Sequence, residues 1–227
     1  MKTKNGFGHV YLQTRRRLHQ QRNTLAALYE AAKAAGARQE QNTSALMQAS
    51  LAKEEQWGAL GDVVISPLVA HMERLETDAH ICDIYAAAVI LVLDDTLGTA
   101  YSEFKERGGT PRDLSRVQTV NVLDAGGNNF RHYEEWGRNA WADLSSKARA
   151  NIITIAEFLG LPFDDEQRRF DGNRWFGQIM AWRILERLGP DSYQTIEIAV
   201  RDCLEEMLIA LGLHDSALAM HARAAYD

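Results

Sequence analysis

Four prolines in 227 residues, at positions 67, 111, 162 and 190, constrain this chain more than any other feature. Proline fixes φ and removes a backbone donor, so it breaks a helix wherever it falls inside one. Here each proline stands between segments whose apolar residues recur at three- and four-residue spacing, the signature of a helix with one buried face. Leu18, Leu25, Leu28 and Tyr29 form such a stripe over residues 11–35, and Gly36 marks its predicted end. Asn42, Thr43 and Ser44 offer caps for a second helix reaching Trp57. Ser66 as N-cap, with Pro67 at the first helical position, opens a long third segment. Within it Met72, Leu75, Ile84, Ala88, Leu91 and Leu97 keep helical spacing up to Gly108 and Gly109, with Thr77-Asp78 as the one candidate break.

Thr110-Pro111-Arg112-Asp113 joins a capping hydroxyl, a proline and an acid, which predicts the start of the next helix. Later helices are expected over 145–159, 165–188 and 193–211, with a short one after Asp215. No period-two alternation and no internal repeat occurs. The expected fold is therefore all-α: one domain over residues 1–227, an irregular bundle of about six to eight helices.

Composition narrows the function classes. With 46% hydrophobic residues the chain can bury a full core, and a net charge of −6 argues against a broad surface for duplex nucleic acid or anionic membrane. Cys82 and Cys203 lie far apart in apolar helical patterns, which predicts buried, reduced thiols and no disulfide framework. The basic N-terminus lacks a following apolar stretch, and the longest apolar run, Ala86 to Leu93, falls far short of the roughly 20 residues that cross a bilayer. A cytoplasmic protein with no membrane partner is the expectation.

The chemically suggestive stretch is GNNFRHYEEW, from Gly127 to Trp136. On a helix Asn128, Arg131, His132 and Glu135 fall at i, i+3, i+4 and i+7 and share one face. Asp124 extends the cluster by a turn, whereas Val120, Leu123, Gly127 and Phe130 form an apolar face suited to packing. Such a cluster suits acid–base work on a charged substrate. His132 can move a proton near neutral pH, Arg131 can stabilise phosphate charge, Glu135 can orient the imidazole, and Asn128 can fix a substrate atom. The plainer reading is an amphipathic helix showing its polar face to water.

This stretch resembles the RNxxxH signature of HEPN domains, helical bundles found in many prokaryotic toxins and defence proteins. Asn128 and His132 match the motif's asparagine and histidine, and Gly127 stands where the family has arginine. The resemblance implies a four-helix core with extensions and a homodimer with a composite site. It further implies metal-independent cleavage or binding of RNA, with His132 as acid–base, Arg131 supplying the charge, and Asn128 and Glu135 positioning them. The alternative is a non-enzymatic module whose α-helical face binds a regulatory protein partner.

Other constellations carry less. The ExxH pairs of a di-iron bundle are absent, as are the phosphate-binding glycine loops and hydrolase elbows, so no metal and no cofactor are expected. Asp94 and Asp95 read as a helix-edge acid pair, and His80 as a core-edge histidine with a satisfied hydrogen bond. Arg15, Arg16, Arg17, His19 and Arg22 form a basic run that reads first as a solvated helix face and second as a phosphate contact. Trp175, Phe176 and Trp182, with Arg168, Arg169, Arg174 and Arg183, read as core rimmed by snorkelling arginines before they read as a stacking platform for bases.

Overall fold

The computed structural model describes residues 3–56, 65–161 and 178–214. Among them it holds six α-helices and no strand: α1 (Phe7–Gln56), α2 (Ile65–Glu106), α3 (Val117–Arg138), α4 (Ser146–Leu159), α5 (Ala181–Leu188) and α6 (Tyr193–Ala210). Trp175, Phe176, Arg168, Arg169 and Arg174, the first part of the helix expected from Asp165, and the tail after Asp215 lie outside the described residues; residues 178–180, within that expected helix, are not helical, and α5 begins only at Ala181.

Three expected boundaries are corrected. Gly36 does not end the first helix, and the two helices expected on either side of it are one element of 50 residues. The reason is packing. A β-carbon at Gly36 would lie 3.2 Å from Trp182 Nε1 and 3.5 Å from Cys82 Sγ, so this glycine keeps three helices close and does not act as a cap. Thr77-Asp78 does not break α2, where the Thr77 hydroxyl donates back to the Glu73 carbonyl within the helix. Thr110 to Asp113 opens only a short 3-10 turn, capped by Asp113 accepting from the Thr110 backbone N–H at 2.7 Å, and α3 begins later at Val117.

The core forms where α1, α2, α3 and α6 meet. From α1 it takes Phe7, Tyr11, Leu18, Leu25, Tyr29, Ala32 and Ala35. Leu93, Leu97 and Phe104 of α2, Leu123 of α3 and Val200 and Leu204 of α6 join it, and the same core extends to Ile152 and Ile155 of α4 and Ile184 and Leu185 of α5. Each fully buried leucine contributes about 1.5–3 kcal/mol relative to an exposed one. α2 is central: it packs against α1, α3, α5 and α6.

α5 and α6 run antiparallel to the first half of α1, and polar contacts fix the register. Tyr11 donates to Glu205, Arg22 Nε pairs with Glu197 Oε2 at 2.9 Å, and the Tyr29 hydroxyl donates to the Gly189 carbonyl at 2.7 Å. This explains the basic run. Arg15 is buried and lies 3.9 Å from Glu205, Arg17 pairs with Asp95 of α2 at 2.6 Å, and Arg22 is held by Glu197, so three of its arginines bind α1 to its neighbours.

Between Gly36 on α1 and Cys82 on α2, none of the residues whose side chains are described, 37–48 and 72–81, is buried. Residues 37–56 and 65–81 thus form a two-helix arm, about 30 Å long at 1.5 Å per residue, that extends past the core. Asp78 clasps it by accepting from Arg38 Nε at 2.9 Å and Asn42 Nδ2 at 3.0 Å. His80 sits at the root of this arm and is exposed, not a core-edge residue. The antiparallel register that Asp78 sets brings Met47 and Met72 to one level, and both are solvent-facing, 62% and 51% exposed.

Candidate functional site

The four polar residues singled out on α3 share its helix, but their side chains have different partners. Asn128 is buried at 9% exposure and turns back on its own helix, donating from Nδ2 to the Asp124 carbonyl at 2.8 Å and to Asp124 Oδ1 at 3.1 Å. Arg131 reaches sideways to α2, where Nη1 stands 3.5 Å from Asp94 Oδ2. His132 and Arg131 nevertheless border one open hollow on the surface of α3, with Glu135 and Arg138. His132 Nδ1 is 3.3 Å from Glu135 Oε2, and both side chains are largely exposed. Glu134 pairs with Arg138 at 2.7 Å one turn further on.

Asp94 explains both Arg131 and Gly127. Its carboxylate is mostly buried between α2 and α3, and burial raises its pKa above the usual carboxylate range; the neighbouring charge of Asp124 adds to the rise and Arg131 opposes it. A β-carbon on Gly127 would lie 2.7 Å from Asp94 Oδ2, closer than side chains tolerate. Glycine at 127 is therefore the residue that lets the acid of α2 approach the backbone of α3. The motif's arginine position is filled here by packing.

His132, Glu135 and Asn128 also border a cleft between α3 and α4 with a volume of about 170 Å³. Its opposite wall is the start of α4, where Ser145 is the N-cap and accepts from the Ala148 N–H at 3.1 Å through its hydroxyl. Lys147 and Asn151 of α4 line the same cleft, and Trp136 forms its inner side at 2% exposure. Gly160, at φ 66°, ends α4 in the left-handed conformation that favours glycine.

Sequence reasoning overlooked three residues. Asn129, next to the chosen Asn128, is fully buried and ties down the chain entering α5: its Oδ1 accepts from the Met180 N–H at 2.8 Å and its Nδ2 donates to the Gln178 carbonyl at 3.1 Å. Lys147 and Asn151 carried no motif. The one available signal was an asparagine inside the apolar pattern of 145–159, at a spacing where a buried residue is due. Comparison with protein-family models, with curated proteins and with solved structures finds no match for this chain.

Among the described residues no group of three or more histidine, cysteine, aspartate or glutamate side chains is placed to hold a metal ion, and no helix is long and apolar enough to cross a membrane. Both cysteines are buried and unpaired with each other. Burial pushes each thiol up to about 12, with Asp83 adding to the rise at Cys82 and Glu206 at Cys203.

Proposed function

We propose that this chain is a non-enzymatic helical assembly module that pairs with a second copy of itself through the arm of α1 and α2. The observation that carries this reading is the arm itself: two helices run on past the last buried residues with Met47 and Met72 exposed at one level. A helix pair buries its apolar stripe fully only when further helices cover it, and two pairs related by a two-fold axis form a four-helix bundle. The exposed charges of the arm, Glu40, Glu73, Arg74 and Glu76 among them, are of both signs, which lets like arms face each other.

The RNA-cleaving reading draws less support. Metal-independent cleavage needs a cation and an acid–base group free to converge on one phosphate; Arg131 and His132 border one open hollow, but Arg131 is drawn to Asp94, and Glu134 and Glu135 line the same hollow with negative charge. Sedimentation equilibrium tests the proposal. The wild type is expected to be a dimer at micromolar concentration and the Met47→Glu/Met72→Glu variant a folded monomer. A monomeric wild type, or a double variant that dimerises unchanged, would defeat it. Incubation with mixed RNA in EDTA is expected to leave the RNA intact; cutting that disappears in His132→Ala would instead establish the nuclease reading.

A further inference from the structure

The described methionines divide into two kinds. Met180 and Met207 are buried, at 2% and 0% exposure, whereas Met47 on α1 and Met72 on α2 are the exposed pair at one level of the arm. Met1 and Met220 lie outside the described residues. A thioether carries no charge at any ordinary pH, so its reaction with an oxidant is governed by access to the sulfur. Among the described methionines, access favours the arm alone.

The competing sulfurs are closed off. Peroxides attack a thiolate far faster than a thiol, and both cysteines are buried, with burial pushing each thiol up to about 12. At neutral pH almost no thiolate is present. The described sulfurs open to a peroxide are therefore the two that the pairing surface uses.

Oxidation reverses the character of that surface. One oxygen atom passes from hydrogen peroxide to the sulfur: the O–O bond breaks, an S–O bond forms and water leaves. The thioether loses two electrons and the peroxide gains them. The product is a polar, chiral sulfoxide whose oxygen needs a hydrogen-bond donor once it is buried, and an apolar contact supplies none. Two-fold pairing places four such groups in each interface, two from each chain.

We infer that Met47 and Met72 are sulfoxidation sites through which a peroxide releases paired chains as monomers. The inference rests on the pairing reading given above. Free chains in exchange with the pair present both sulfurs, so oxidation draws the equilibrium to the monomer by mass action.

The test treats the purified full chain with hydrogen peroxide at neutral pH, quenches with excess free methionine, and follows it by peptide mass spectrometry and sedimentation equilibrium. Oxygen is expected on Met47 and Met72 while Met180 and Met207 stay unmodified. The oxidised chain should keep its helical circular dichroism and dissociate, its dimer dissociation constant rising roughly tenfold or more for each sulfoxide buried. Met47→Leu/Met72→Leu, which keeps the apolar surface but has no sulfur there, should dimerise before treatment and remain a dimer after it. A monomeric untreated wild type would remove the pairing reading and this inference together. An untreated dimer that oxidation leaves intact would remove this inference alone. Oxidation of Met180 or Met207 as fast as Met47, or equal dissociation of the leucine variant in peroxide, would also overturn it.

Discussion

Asp94 on α2 stands over the bare α-carbon of Gly127 on α3, so close that a β-carbon would come within 2.7 Å of its Oδ2. Gly127→Ala is expected to destabilise the protein by about 1–3 kcal/mol through this overpacking, despite the helix preference for alanine. In an Asp94→Ala background the same change should cost little or become favourable by up to about 1 kcal/mol. Urea denaturation of the four proteins measures the coupling, and additive effects would show that the two residues do not meet.

Asp83 gives the chain a pH-dependent stability. Burial raises its pKa to about 6, an effect only partly relieved by the hydrogen bond it accepts from the Trp182 backbone. The folded state therefore holds the proton more tightly than the unfolded state, whose carboxyl titrates near its model-compound value of about 4. Stability from this group is fully present below about pH 4 and is lost as pH rises to about 6. Asp83→Asn should accordingly stabilise the protein at pH 7, by about 2 kcal/mol, and flatten the pH dependence of thermal unfolding between those limits.

Asn129 is expected to matter more than its neighbour Asn128 for stability. Replacing it by alanine strands the buried Met180 N–H and frees the Gln178 carbonyl to water, at a cost of about 1–3 kcal/mol. Asn129→Asp should be at least as damaging at pH 7, because it keeps the acceptor, loses the donor and buries a charge. Chemical denaturation ranks the variants.

Neither thiol should react in the native state at pH 8, since both pKa values lie near 12 and both groups are buried. Labelling with a chromogenic disulfide is expected to be slow in buffer and to reach two equivalents in urea. Fast labelling of one cysteine without denaturant would show local opening at that helix.

Much of the fold was legible because the prolines and the three-four spacing report directly on backbone geometry. All-α architecture, the central second helix, the α4 limits at 145–159 and the buried cysteines follow from those two signals. Gly36 misled because a glycine that permits close packing and a glycine that ends a helix look identical in a string of letters. The site was harder still. Helical spacing puts Asn128, Arg131, His132 and Glu135 within two turns of α3, but which way Asn128 and Arg131 lean depends on Asp94 and Asp124, one of them on another helix. Asn151 and Lys147 belong to a wall that exists only once α4 has packed, so no local pattern could announce them.

The contact between Tyr11 and Glu205 spans 194 positions of the chain. Synthesis at roughly 5–20 residues per second therefore separates the two partners by on the order of 10–40 s. Throughout that interval the nascent α1 carries Tyr11, Leu18, Leu25 and Tyr29 without the surface of α5 and α6 that later packs on it. α1 must wait for α5 and α6, so the face that the finished fold buries most completely is the one that stays open to water longest while the chain is being made.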